Sequence, residues 1–512
     1  MKTNPCAARK QKMKALQVCL VAMTVALMML GGCGKFMEKD TGTETSLEAE
    51  RPGSEDETDT VKQTEAIPDT IAPFPSKADK DKSENENGGD GEDRTEKNGE
   101  DAAGEWDPDE GRRIFLATDI HYLSRELTDG GEYFQRMVEH GDGKVVTYID
   151  QITDAFFEEV IEEQPDVLIL SGDLTLEGEK QSHQELAEKL YEVQDAGITV
   201  LVIPGNHDIN NRQAACYEAD QRLPAEYTTP EEFREIYADF GYDEAASEDA
   251  YSLSYLYEYD DETWFLMLDT CMYTPKAKVG GSISQETYDW IEDRLEEAWD
   301  VGVDVIPVGH HNLLDESEIY VDDCTIEHGE QLARMLEDWG ITLFLSGHLH
   351  VQHYDRNREN RGIWEAVTSS LATPACKYGE IYYYRGGEFF YQTNTVDVEG
   401  WALRNDREEE DLLNFESFRE PFLLRVFYNQ SYDALQEIPE LTEDERIRMS
   451  DLYSFLNYHY YQGTACEIRD DIIENPDYEL WLNDGSFTIL SDYVQYIIED
   501  AVHDYNRISS VE

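Results

Sequence analysis

Residues 346–350 read SGHLH and close the apolar run ITLFL. Two histidines two positions apart, just past a glycine, suit metal ligation. In an extended chain residues i and i+2 face the same side, so two imidazoles can aim at one point. Four more short motifs offer the same class of donor at the ends of apolar runs. They are Asp119 and His121 in DIH, Asp173 in SGD, Asn206, His207 and Asp208 in GNHD, and His310 with His311 in GHH. Each has an ordinary structural reading when taken alone. Asp119 fits a helix cap, Asp173 a turn aspartate, Asn206 a left-handed turn residue, and His310 a buried, hydrogen-bonded histidine. Together they are read as one site. Six of the twelve histidines lie in these five turns, and strand C-termini are where α/β sheets place ligands.

The residue types narrow the chemistry. Asp, Asn and His without a thiolate suit Mn, Fe, Co or Zn better than Ca or Mg. One carboxylate can bridge two ions. A pair of cations about 4 Å apart clamps the attacking and leaving oxygens of an in-line displacement at phosphorus, and the water between them loses a proton near neutral pH. The expected reaction is hydrolysis of a phosphate ester by a metal-bridging hydroxide. No serine or cysteine nucleophile is then required.

The order DxH, GD, GNHD, GH, GHxH, within residues 113–398, resembles that of the calcineurin-like metallophosphoesterases. The GDLT that opens the second motif looks like the cyclic-nucleotide phosphodiesterase branch. The resemblance implies a four-layer α/β fold, two β-sheets packed face to face with helices outside. It implies two divalent metals. Asp119, His121, Asp173 and His350 would hold one; Asp173, Asn206, His310 and His348 would hold the other, with Asp173 bridging. His207 becomes the outer histidine that contacts the phosphate and protonates the leaving oxygen, and Asp208 orients it. Within GHH the family pattern assigns His310, not His311, to the metal, although Asn312 stands where the family often has proline. A small phosphodiester, cyclic nucleotide or similar, is the expected substrate. A phosphomonoesterase or nucleotidase is the competing enzyme reading, and a non-catalytic metal-binding scaffold the competing non-enzyme reading.

The elements that must position these residues alternate. RIFLAT, DVLILSGD and ITVLVIPGNHD read as strands, and YIDQITDAFFEEVIEEQ and HQELAEKLYEVQDAG as helices between them. WFLMLDT, VDVIPVGHH and ITLFLSGHLH continue the pattern with the helices SQETYDWIEDRLEEAWD and EQLARMLEDWG. Such alternation predicts βαβ units and parallel strands. From Gly362 to about Val398 the texture predicts three successive antiparallel strands, WEAVTSS, GEIYYYR and EFFYQTNTV. Beyond, amphipathic stretches predict a separate all-α C-terminal domain with its own core. Between the third motif and the next strand, Tyr217, Tyr227, Phe233 and Tyr251 read as a local core rather than a platform for a base.

Composition sets the surroundings. The 512 residues include 112 acidic and 41 basic ones, a formal net charge of −71. That argues against nucleic acid polymers as partners, since their phosphates need basic contacts; a small anion can still be drawn by a local metal charge. Arg9, Lys10, Lys12 and Lys14 precede the apolar stretch VCLVAMTVALMML and then LGGC, which resembles a bacterial lipobox ending at Cys33. The alternative is an uncleaved membrane anchor. The expected organisation is a lipoprotein signal peptide at 1–32, an acidic tether at 33–108, the catalytic domain at 109–398 and the helical domain at 399–512. The protein would sit outside the cell membrane, anchored by lipid on Cys33. The tether lacks the apolar residues a core needs. This combination resembles surface-anchored phosphodiesterase-like proteins of Gram-positive bacteria. Eight cysteines show no CxxC spacing, and oligomeric state is not readable.

Overall fold

The computed structural model describes residues 111–510 apart from 275–276, 318, 320, 358–361 and 483–488. The expected signal peptide, Cys33 and the acidic tether lie outside the described residues. Two mixed sheets form the centre. The six-stranded sheet runs Arg507–Ser509, Glu388–Thr395, Lys377–Tyr384, Arg112–Ala117, Val167–Ser171, Thr199–Ile203. Its last three strands are parallel, the others antiparallel. Val167–Ser171 is buried at every position, which is why this strand reads as an unbroken apolar run rather than an alternation.

The seven-stranded sheet runs His353–Arg356, Trp364–Val367, Leu343–Ser346, Asp304–Val308, Thr263–Met267, Tyr255–Glu258, Ser247–Glu248. Alternate residues of its strands face two different cores. Phe265, Met267, Ile306, Val308 and Leu345 join the large cluster that also holds Ile114, Leu168 and Leu201 of the other sheet. Trp264, Leu266, Val305 and Phe344 point the other way, onto Tyr288, Ile291 and Leu295 of the helix Gln285–Val301 and Leu332 and Leu336 of the helix Gly329–Asp338. Sheet therefore packs on sheet, with helices outside. Each fully buried side chain of this kind contributes about 1.5–3 kcal/mol. The helix Gln285–Val301 is bounded by its sequence: Ser284 Oγ accepts from Thr287 N, and Gly302 leaves at φ 77°.

Two expectations need correction. Trp364–Val367 does not continue an antiparallel series with the strands after it. It lies in the other sheet, parallel to Leu343–Ser346 and antiparallel to His353–Arg356. Only Lys377–Tyr384 and Glu388–Thr395 form the expected hairpin. The C-terminal region, with helices Phe415–Gln436, Glu443–Tyr461, Ala465–Glu474 and Ile489–Asp500, has no separate core among the described residues. Leu423, Phe427, Leu456 and Val494 belong to the same buried cluster as the sheets. After these helices the short strand Arg507–Ser509 pairs with Glu388–Thr395. The apolar faces of its helices were legible; what they pack against was not.

In the segment after the third motif, Tyr217 and Phe233 are buried, whereas Tyr227 and Tyr251 are exposed. The five described cysteines are all free. No described helix is long and apolar enough to cross a membrane.

Candidate metal centre

The turns after five strands converge at one place. The backbone turns sharply there: Asp119, His121, Asp173, His348 and His350 all have positive φ, between 47° and 71°. His and Asp are among the residues that tolerate this region, and such conformations collect at functional sites. His348 and His350 are therefore not in the extended geometry that their spacing suggested. Gly347 lets this turn approach the first motif: a Cβ there would lie 2.0 Å from Thr118 Oγ1 and 2.8 Å from Asp119 Oδ2.

All seven expected ligand residues are brought together. Asp119, His121 and His350 form one buried group, and Asp173, His310 and His348 a second. His121 Nε2 and His350 Nε2 face each other at 3.1 Å. His310 Nε2 lies 3.2 Å from His348 Nδ1 and 3.1 Å from Asn206 Oδ1. Asp173 serves both groups. Its Oδ1 accepts from His207 N at 2.8 Å, while Oδ2 lies 3.5 Å from His310 Nε2 and 3.8 Å from His121 Nε2. Asp119 divides its oxygens in the same way. Oδ2 accepts from Thr118 Oγ1 and His348 N; the buried Oδ1 faces His350 Nε2 at 3.1 Å and His121 Nε2 at 3.8 Å.

The remaining ring nitrogens are fixed by carbonyls. His310 Nδ1 donates to Ser171 O at 2.9 Å, and His348 Nε2 to Asp323 O at 2.9 Å. This leaves the other nitrogen of each ring aimed at the centre, as a metal ligand requires. Buried acceptor atoms that face one another, with Asp119 Oδ1 turned to the His350 and His121 rings at 3.1 and 3.8 Å, fit divalent cations. Burial works against the protonated form of His310, but Asp173 and Asp119 outweigh it and raise its pKa to about 9; burial and the charge of His310 push His348 down to about 4. A cation bound between these rings would require His310 Nε2 to give up its proton.

The nitrogens of His311 turn away from both groups, although its ring packs 4.5 Å from that of His348. His311 Nε2 donates to Val279 O at 2.7 Å and its Nδ1 accepts from Thr270 Oγ1 at 2.7 Å. Both nitrogens are thus occupied, and burial holds the ring neutral. Asn312, in the place often taken by proline, donates to Ser346 Oγ and Gly347 O, both at 3.1 Å. It ties the GHH turn to the GHLH turn.

His207 borders both groups, its ring edge-on to His121 at 5.1 Å. Its Nδ1 donates to Leu176 O at 2.9 Å and lies 3.3 Å from Glu177 Oε2. Burial opposes the imidazolium, but Asp173 and Glu177 prevail and lift its pKa to about 9. The expectation that Asp208 orients His207 is corrected here. The Asp208 carboxylate accepts from the backbone N–H of Gly205, Leu174 and Thr175 and from Thr175 Oγ1, at 2.8–3.1 Å. All its capacity goes to stitching the SGD turn to the GNHD turn, and Leu176 and Glu177 orient the imidazole. Sequence reasoning missed Glu177. Its only signal was an acidic residue four positions after Asp173, in a stretch where acidic residues are common. It also missed a buried ion pair, Lys144 with Asp142 at 2.9 Å.

Residues 112–352 match the family described as "Calcineurin-like phosphoesterase", and residues 397–504 match "C-terminal domain of cyclic nucleotide phosphodiesterase". A "Probable cyclic nucleotide phosphodiesterase" of Vesicomyosocius okutanii is 44% identical over 52 residues, 10% of this chain; the match spans 21% of that relative's length. Among solved structures, a dimetal phosphatase from Danio rerio is 13% identical, with 56% of this chain and 97% of that one covered at a TM-score of 0.39. A purple acid phosphatase from yellow lupin is 14% identical, with 56% and 51% covered at a TM-score of 0.36. The chain thus has the metallophosphoesterase fold, mixed sheets flanked by helices, followed by a helical C-terminal region.

Proposed function

We propose that the protein is a metal-dependent phosphodiesterase of a small phosphodiester, with a cyclic nucleotide as the leading substrate class. One observation carries the reading. Two converging Asp/His groups that share Asp173 are followed, in the same chain, by a match to the C-terminal domain of cyclic nucleotide phosphodiesterase. Asp119, His121, Asp173 and His350 would hold one divalent cation, and Asp173, Asn206, His310 and His348 the other, from among Mn, Fe, Zn and Co. Two such ions supply Lewis-acid stabilisation of charge on the phosphoryl oxygens and acidify the attacking water.

The protein's own groups do the rest. His207 keeps Nδ1–H on the Leu176 carbonyl, which leaves Nε2 to deliver a proton to the leaving oxygen. Glu177 stabilises the imidazolium until that transfer. The overall charge of −71 repels polyanions, so the substrate is a small anion rather than a nucleic acid.

The test is a hydrolysis screen on the purified protein, comparing cyclic nucleotides, glycerophosphodiesters and nucleoside monophosphates. Turnover confined to monoesters refutes the diester reading. Asp173→Ala should abolish turnover and lower bound metal; two retained metals with a near-normal rate would refute the shared-ligand assignment. We propose further that lipid on Cys33 anchors the chain to the outer face of the cell membrane. Radiolabelled fatty acid should enter the wild type and not Cys33→Ser; no label in the wild type ends that reading.

A further inference from the structure

The loop after the helix Glu132–Glu139 carries Asp142 and Lys144, paired at 2.9 Å and only 4% and 5% exposed. Removing two charges from water is costly, and a buried pair contributes little net stability, so its position invites a functional reading. That position is beside the metal centre. Val145 N donates to Ala372 O at 2.8 Å, and Ala372 N donates to the backbone carbonyl of Asp119 at 3.3 Å. Burial is the largest influence on the charged groups of this region. Beyond it, the Lys144 ammonium acts on His121 and Glu177, and His350 and His207 act on Asp142. The pair thus lies on a loop tied by these backbone hydrogen bonds to the turn that carries Asp119, within electrostatic reach of His121, His207, His350 and Glu177.

The loop is held from the other side by the helix Phe415–Gln436. Gln430 Nε2 donates to Gly141 O at 2.5 Å, and Asn429 Nδ2 donates to Glu139 O at 3.1 Å. Gly143, at φ 97°, lies so close to this helix that a Cβ would come within 2.6 Å of Leu423 Cδ1. Every one of these helix residues falls within 397–504, the C-terminal domain match.

We propose that Lys144 is a substrate-binding residue of this centre. Its ammonium takes a non-bridging oxygen of the bound phosphate ester, Asp142 holds it in place, and the helix Phe415–Gln436 positions the loop that carries both. The nature of the anion rests on the phosphate-ester reading above. An ammonium has three N–H donors, and one carboxylate oxygen leaves room for a ligand. The C-terminal domain thereby completes the substrate site without contributing a metal ligand.

The experiment uses the full chain loaded with Mn2+. It measures bound metal, the affinity for inorganic phosphate by calorimetry, and KM and kcat on the best ester. Lys144→Met should keep its metals and bind phosphate on the order of tenfold to a hundredfold more weakly, the value of a charge-assisted hydrogen bond, with KM rising more than kcat falls. Lys144→Arg should recover part of the affinity. Gln430→Ala, remote from the centre, should weaken phosphate a few-fold at full metal content. Wild-type phosphate affinity in metal-replete Lys144→Met overturns the assignment. Should that variant fail to fold, unchanged phosphate affinity in Gln430→Ala overturns the positioning role. A wild type that binds metal and phosphate but hydrolyses no ester defeats the hydrolase reading instead, and leaves Lys144 to be judged on phosphate binding alone.

Discussion

Replacing Asp208 separates the two roles open to it. The carboxylate is fully buried and accepts three backbone N–H groups and one hydroxyl. In Asp208→Ala the three N–H groups lose their acceptor in a place water does not reach. Each orphaned donor costs about 1–3 kcal/mol, so about 3–9 kcal/mol in all. Part of this returns, because burial and the neighbouring Asp173 already make the charge expensive and lift the Asp208 carboxyl to about 6. A net loss of about 3–5 kcal/mol is expected, as for other broken buried charge networks. That is a large share of the roughly 5–15 kcal/mol that holds a domain together. Asp208→Asn keeps one acceptor oxygen and should lose about 1–3 kcal/mol. Urea unfolding followed by tryptophan fluorescence gives the stability, and metal analysis reports the two turns that Asp208 joins. An Asp208→Ala protein within about 1 kcal/mol of wild type, yet with the rate pattern of a His207 variant, would refute the structural role and restore the orienting one.

His207→Ala should slow an ester with an alkoxide leaving group far more than one with a nitrophenolate, which needs little protonation; equal losses in a leaving-group series would remove the general-acid role. His310→Ala should lose one metal, whereas His311→Ala should keep both and lose mainly stability, since its two nitrogens serve Val279 and Thr270; metal analysis showing the reverse moves the ligand to His311. His353, paired with Glu316 and Asp500, has a pKa that burial lowers but these carboxylates raise to about 10. That lies above its unfolded value of about 6.5. Its contribution is therefore whole below about pH 6.5 and is lost as pH climbs through 10. His353→Gln should flatten the fall in urea midpoint across that window, and an unchanged slope would contradict the ion-pair account.

The site was largely legible because its residue types are rare and their positions regular. Six histidines at strand ends stand out in a chain whose commonest polar residues are acidic. What packs around them was not legible. Asp208 and Glu177 are both carboxylates near the third and second motifs. Only coordinates show that one is spent on backbone N–H groups while the other reaches His207. The strand Trp364–Val367 was recognisable as a strand from its residues. Its partner was not, because β-pairing depends on neighbours distant in sequence. The core shared by the sheets and the C-terminal helices escaped for a similar reason, since amphipathic periodicity marks a buried face without naming what covers it.

The place of Arg112–Ala117 in the six-stranded sheet has a consequence for biogenesis. The first strand of the domain sits in the interior of the sheet, between Val167–Ser171 and Lys377–Tyr384. The ion pair between Arg113 and Glu380 joins residues 267 positions apart. Pairing on the Lys377–Tyr384 side of this strand can therefore not follow the order of synthesis. A chain cut before residue 377 keeps one edge of its earliest strand open, and open edges recruit other chains. Closure over so long a loop is slow and leaves apolar surface exposed meanwhile. Proteolytic trimming or premature termination that removes Lys377–Tyr384 would thus yield aggregates rather than a smaller working enzyme. Soluble yield across a truncation series should fall abruptly where the hairpin Lys377–Thr395 is lost, not gradually with length.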